Sequence, residues 1–493
     1  MNAARILVII TTFCAVITTC AQEFDFNANC QSAYQSILSL RLKEGKVLLQ
    51  AERKKNPDNL IVDFLENYHD FLQVYLADTR DEFEKRRKEK DLRLAQLATG
   101  NPASPYFLYS QAEVSIQWAA LNIRFGEYLN AVTDIRRAYK LLEQNEKKFP
   151  EFSANKKTLG LLYSLIGSVP DKYKWAVSLL GMSGNINKGL HMLQQLIEAD
   201  ASNFLFKDEA TVIYSMLLLN LQSDAERAWQ VLQQQSFPLK DNLLSTYVVA
   251  YVGIHGKHST ESLKVLETKP QGNDYATFSL LSYLQGLAML QTLDVKAIDK
   301  FKQYINTYKG DAHIKSAYQK MAWCYLLQND TVSYRHYIKN ATVFGGDLLD
   351  ADKQAKQEAA TGIIPNVGLL KARLLFDGAS YQKALLELQN CNPAMLKYVE
   401  YNAEYHYRLA RIYQELNEPD KALHYYAKAI ESGKALPRYF AAKSALESGK
   451  IYEQRQQIDS AAYYYNKCLS FEEHEYKNGL DQKAKAALER MGK

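Results

Sequence analysis

Residues Glu404–Ala429 read EYHYRLARIYQELNEPDKALHYYAKA. Apolar residues recur there at spacings of three and four on either side of Asn417, Pro419 and Asp420, which spells two helices joined by a tight turn. Ala410, Ala422 and Ala429 are small where the two helices must approach, and Leu409, Tyr413 and Tyr426 fill the space beside them. One such hairpin cannot bury its own apolar face, so it implies stacked neighbours. The pair Ala410/Ala422 recurs at the same offset as Ala372/Ala384, Gly449/Ala461 and Ala119/Ala131. Weaker copies surround Ala250, with a turn at Gly256, and Ala322, and a shortened one runs from Gly286 to Ala297. The pattern predicts an all-α chain of roughly seven to nine helical hairpins with no sheet.

Two features of the opening stretch carry a family resemblance. His406-x2-Leu409-Ala410-x2-Tyr413 resembles the first half of the tetratricopeptide repeat (TPR) signature, and Ala422-x3-Tyr426 the second half. The resemblance implies a TPR-like right-handed superhelical solenoid whose first helices line a concave groove. The groove stripe is then Asn366, Leu369, Arg373 and Phe376 in one repeat, Glu404, Tyr407, Arg411 and Gln414 in the next, and Lys443, Leu446, Lys450 and Glu453 in the third. We take Leu369, Arg373, Phe376, Tyr407, Arg411, Gln414, Leu446 and Lys450 as the candidate partner-binding residues. Arg373, Arg411 and Lys450 form a predicted ladder of cations beside apolar side chains, suited to an extended protein or peptide segment that carries carboxylates. The alternative is that Glu404, Glu415 and Glu453 neutralise the cations and leave a solvated face.

Composition narrows the class. Among 493 residues a net charge of +5, with basic and acidic residues interspersed, argues against a nucleic-acid binder. The N-terminus combines Arg5, an apolar run from Ile6 to Ile17 and the small-residue ending Thr19-Cys20-Ala21, the pattern of a secretory signal peptide over residues 1–21. The run is short for a bilayer span, and Thr18-Thr19 departs from the residues that precede a lipid-attachment cysteine. Export to the periplasm or the outer-membrane periphery is the expectation, with no integral membrane span after Ala21 and at most peripheral membrane association. Cys30, Cys324, Cys391 and Cys468 are far apart in sequence and form no metal or redox spacing; Cys391 and Cys468 fall at the packing position of Ala429 in their own repeats, which points to buried thiols.

The predicted segments after residue 21 are N-terminal hairpins over 22–100, a central solenoid over 101–345 and C-terminal repeats over 346–493. Asn27–Lys55 and Leu60–Leu76 read as helical, with a stop at Asn56-Pro57-Asp58-Asn59 between them. Thr79–Arg93 reads as a charged helix face with pairs along one side, and Asn101-Pro102-Ala103-Ser104-Pro105 breaks the chain. Residues 159–196 depart from the repeat, with a break at Pro170 and a turn at Gly181-Met182-Ser183-Gly184-Asn185. That order of helix, Pro-containing break and glycine turn resembles the middle of the inclusion-body clearance protein family, which implies association with organelle or lipid-droplet surfaces. Asp347, Asp350 and Asp352, in an insertion between Phe344 and Pro365, lack the glycine and spacing of a calcium loop and read as helix-start acids.

Catalytic patterns fail on residues. Gly256-Lys257 is followed by His258 where a phosphate loop needs Ser or Thr, and His255 and His258 have no carboxylate placed to complete a metal site. Gly181-Met182-Ser183-Gly184 is not a nucleophile elbow. No cofactor and no catalytic residue is assigned. The leading reading is an exported, non-catalytic scaffold that grips a protein or peptide. The alternatives are a glycan-binding outer-membrane protein, similar to the starch-utilisation-type binders, and an adaptor associated with a membrane or lipid surface. Against the glycan reading, Trp118 and Trp175 are expected to be core residues rather than exposed platforms.

Overall fold

The computed structural model describes residues 22–198, 205–234 and 241–492. The predicted signal peptide, including Cys20 and Ala21, lies outside these residues. Every described element is helical, and the extended contacts are two isolated bridges, Gln22 with Gly100 and Glu23 with Asn59. The chain is an all-α solenoid of helical hairpins. In chain order the helix pairs are α1 (Ala28–Leu38) with α2 (Leu42–Lys55), α3 (Ile61–Ala77) with α4 (Arg80–Leu97), and α5 (Tyr106–Arg124) with α6 (Tyr128–Lys148). Next, α7 (Ser153–Gly167) pairs with α9 (Ile186–Glu198) across the inserted α8 (Asp171–Leu179). Then follow α10 (Lys207–Leu217) with α11 (Ala225–Gln234), α12 (Leu243–His255) with α13 (Ser259–Glu267), α14 (Leu280–Leu290) with α15 (Ala297–Thr307), and α16 (Ile314–Leu327) with α17 (Thr331–Val343). The unpaired α18 (Asp350–Thr361) precedes α19 (Val367–Asp377) with α20 (Tyr381–Gln389), α21 (Val399–Glu415) with α22 (Pro419–Gly433), and α23 (Phe440–Gln454) with α24 (Ile458–Leu469). Helix α25 (Lys477–Arg490) covers the last pair.

This series exceeds the seven to nine hairpins expected. The surplus lies at the N-terminal side, where packing does not rely on the Ala/Ala pair that served as the measure. The expected helical stretch 27–55 is itself a hairpin, turned at Leu40 with a φ of 63°.

The turns explain themselves in part. Residues in the left-handed region close several hairpins, and Gly126, Asn329 and Asn417 fill that place as their types favour. At the turn into α20, however, the left-handed residue is Ala379 (φ 59°), and Gly378 is needed for another reason. A Cβ at Gly378 would stand 2.7 Å from the backbone oxygen of Gln291, in the preceding α14–α15 turn. The same division holds at Gly256 and Lys257: Lys257 takes φ 67°, while a Cβ at Gly256 would meet Val252 O at 2.9 Å.

Packing follows the small-residue register. Ala372, Ala384, Ala410, Ala422, Ala429 and Ala461 are completely buried, with Tyr426 and Tyr465 filling the space between helices. Cys30, Cys324 and Cys468 are buried free thiols, and Cys391 is half-buried. One hydrophobic core includes residues from Cys30 to Leu374, across residues 100/101 and 345/346, a separate core from Leu190 to Val252 serves α9–α12, and smaller cores serve the C-terminal hairpins. Long-range bonds show why the first core extends so far. The superhelix brings α1 and α3 against later hairpins: Tyr34 Oη donates to Glu209 at 2.8 Å, and Leu40 O accepts from Ala276 N at 2.8 Å. Asp78, at the end of α3, accepts from Arg124 Nε at 2.6 Å and from the Tyr308 hydroxyl. The inner face of the N-terminal hairpins is thus filled by the chain's own side chains.

Candidate protein-binding groove

The groove stripe separates into two kinds of residue. Leu369, Phe376, Tyr407 and Leu446 are 1, 8, 3 and 0% exposed and pack between helices. What the stripe offers beyond that core comes from its polar members. Gln414 accepts from the Tyr426 hydroxyl at 2.5 Å. The Arg411 guanidinium lies 4.4 Å from the Phe376 ring centroid and donates to Tyr407 Oη at 3.0 Å, so it is stacked inside the repeat. Lys450 Nζ sits 3.0 Å from Glu447, which also holds Lys443 at 2.7 Å. Burial works against the Glu447 charge, but the two lysines keep its carboxyl well below the usual range.

The acids Glu404, Glu415 and Glu453 pair with other cations. Glu404 holds Arg408, Glu415 holds Lys257 at 2.5 Å, and Glu453 holds Arg490 at 2.7 Å. That leaves Arg373. Among the described residues it donates no hydrogen bond. Its guanidinium stands 5.0 Å from the Trp323 ring, and its nearest carboxylate, Asp377, is 4.0 Å away.

Arg373 faces a cavity of about 270 Å³ between α18, α19, α21 and the start of α23. Tyr401, Tyr439, Phe440 and Tyr476 give it an aromatic wall, and Ile363 and Pro365 an apolar edge. Its other charges are matched: Arg438 bonds Glu400 at 2.6 Å and Glu475 at 2.8 Å, and Arg408 bonds Glu404. Glu358, on α18, accepts from Trp323 Nε1 and Gln319 Nε2, each at 2.7 Å. The cavity therefore keeps one cation with unused donors, beside rings on which an apolar or aromatic side chain can rest. Nearby, burial and the Arg373 charge push Lys320 down to about 7.

Several wall residues went unread in the sequence. Gln319 and Trp323 lie three before and one after Ala322, the offsets of Leu369 and Arg373 from Ala372, so the repeat register could have found them. Glu358 sits in the insertion, where no register applies. Asp352 in that insertion does more than start its own helix: it accepts from His313 N at 2.7 Å and Ser316 N at 3.0 Å, capping α16. No group of histidine, cysteine and acidic residues among the described residues has the geometry to hold a metal ion. His255 ends α12, while His258 stacks on Trp229 with ring centroids 4.4 Å apart and does have a carboxylate beside it, Glu226 at 3.1 Å.

The tryptophans require one correction. Trp118 is core, 1% exposed and donating to Asn67 at 2.9 Å. Trp175 is 68% exposed, because α8 turns Val177 toward the core, as does Leu180 just past its end.

Stacked hairpins with an inward-facing cavity define a helical-repeat scaffold. Residues 404–432, comprising most of α21, its turn and most of α22, match the family model for the tetratricopeptide repeat. The α21–α22 hairpin is thus a tetratricopeptide repeat. Among solved structures, a Rap protein complexed with competence and sporulation factor is 11% identical, with 92% of this chain and 98% of that chain covered and a TM-score of 0.26. The APC/C hetero-tetramer Cut9–Hcn1 is 10% identical over 92% of this chain and 95% of that one, with a TM-score of 0.27. No curated protein matches the sequence. No described helix is long and apolar enough to cross a membrane.

Proposed function

We propose that this protein is an exported, non-catalytic scaffold that binds a carboxylate-bearing segment of a protein partner in the cavity at Arg373. The observation that carries the reading is the guanidinium itself: a planar five-donor group that makes no hydrogen bond among the described residues and only a 4.0 Å contact with Asp377, facing an aromatic-walled cavity whose other cations are closely paired. A carboxylate accepts two parallel bonds from such a group, and an adjacent apolar side chain gains the ring wall. The repeat architecture supports a role in protein interaction. Export is supported by the apolar run at residues 6–17 and the small-residue ending before residue 22.

The test is to isolate proteins that co-purify with the full chain from its own host, and then to measure the affinity of the partner for the parent and for Arg373→Gln. Losing a charge-assisted bidentate contact should weaken binding by about tenfold or more, with the parent's affinity falling as salt rises. Equal affinities would remove Arg373 from the binding site.

A further inference from the structure

Helix α8 stands apart from the repeat, and its outward face is apolar. Tyr173, Trp175 and Leu179 are 52, 68 and 79% exposed. The outer face of α6 carries a second such stripe, with Tyr128, Leu129 and Val132 exposed, Leu129 to 86%. The two stripes adjoin, because Arg136 Nε of α6 donates to Leu180 O, just past α8, at 2.9 Å, and Tyr139 Oη lies 3.2 Å from Ser183 Oγ. Cations surround them: Lys172 on α8, then Arg136, Arg137 and Lys140 along α6. Among the described residues of these helices that are exposed, none is acidic. Elsewhere on the chain the charge is interspersed; the charged helix α4, for example, pairs Arg80 with Glu84 and Arg86 with Glu82 along its length.

We propose that the α6–α8 face docks on an anionic lipid bilayer, independently of the cavity at Arg373. Trp and Tyr rings settle at the headgroup level, where one end meets apolar chains and the other meets water. Leu129 and Leu179, the most exposed of these side chains, enter the apolar layer, and the lysine and arginine side chains meet lipid phosphates, which attract basic residues near the surface. These side chains lie outside the cavity described above. A fluid bilayer accepts such relief without a matching pocket, whereas a protein partner must supply shape complementarity. These cations give the face its preference for negative lipid.

Trp175 reports the contact directly. The other three tryptophans, Trp118, Trp229 and Trp323, are 1, 8 and 2% exposed, so a change in emission on adding lipid belongs to Trp175. The full chain is mixed with vesicles of phosphatidylcholine alone or with phosphatidylglycerol. Residues 6–17 give the chain another apolar segment, so sedimentation with vesicles alone decides nothing, and the emission does. The expected result is a shift to shorter wavelength with phosphatidylglycerol vesicles, weaker with phosphatidylcholine or high salt, and absent in Trp175→Ala. Leu129→Ser with Leu179→Ser, both at exposed positions that leave the fold intact by circular dichroism, should require about tenfold more lipid for the same shift. No shift for the parent overturns the proposal, as does an unchanged double variant. A shift that grows with protein concentration in the absence of lipid overturns it too, and makes the face an interface between two copies of the chain.

Discussion

At the scale of single residues, the repeat depends on atoms that are absent. Gly449 lies in the middle of α23, where Ala would ordinarily favour the helix by about 1 kcal/mol. A Cβ there would stand 2.7 Å from two ring carbons of Tyr465, which is completely buried and has nowhere to move. Gly449→Ala should therefore lower stability, by about 1–3 kcal/mol in urea denaturation, because overpacking outweighs propensity. An unchanged midpoint would mean that the ring does not abut the helix. The opposite sign is expected at Ala379, whose left-handed conformation strains any residue with a Cβ. Ala379→Gly should raise stability by about 1 kcal/mol in the same measurement. Glu52 supplies a pH signature. Burial alone would raise its pKa, but donors from Asn56, Asn27, Asn29 and Asn59 lower it to about 2. With the folded value below the unfolded one, its contribution is complete above the ordinary carboxylate range and is lost as pH falls toward 2. Denaturation between pH 5 and pH 2 should show a shallower loss for Glu52→Gln, from a lower starting stability, since the new amide meets donors with a donor.

The element that shapes the groove is the inserted α18. Its Asp352 caps α16 and its Glu358 ties down Gln319 and Trp323, so one wall of the cavity is held by two carboxylates. Glu358→Ala should cost about 1–3 kcal/mol by leaving the Trp323 N–H without its acceptor. Trp323 emission should move to longer wavelength as water enters. If the emission holds still, α18 is kept in place by its other contacts, and Glu358 is only a bystander to the cavity.

Across the whole molecule, buried charge joins hairpins that are distant in sequence. Lys157 Nζ on α7 lies 3.2 Å from Glu113 on α5 and 2.9 Å from Glu209 on α10, with Tyr34 and Tyr68 bonded to the same acids. Burial would lower the lysine's pKa, but the two carboxylates raise it instead. Removing one partner of such a cluster leaves an uncompensated charge. Lys157→Met should cost about 3–5 kcal/mol, with part of the loss recovered by adding Glu113→Gln. Thermal unfolding of the single and double variants checks it, and a double variant less stable than the single one would show that Glu113 is held by Tyr68 and Thr158 alone.

The sequence by itself determined the helices, the helical hairpins at Ala372, Ala410 and Gly449 and the small residues between them, because those follow from local spacing and side-chain volume. It also put Arg373 on the helix face that lines the cavity, since a helical period fixes which positions share a face. It did not yield the N-terminal hairpins as a packed series, nor that Leu369, Tyr407 and Leu446 would be buried, because the depth of a groove depends on how tightly successive hairpins wind. Nor did it separate the fates of Trp118 and Trp175, which sit in comparable apolar patterns. Only the tertiary structure decided these, since exposure is a property of what packs opposite a residue: α5 has neighbours on both sides, whereas α8 touches the rest of the chain along one edge.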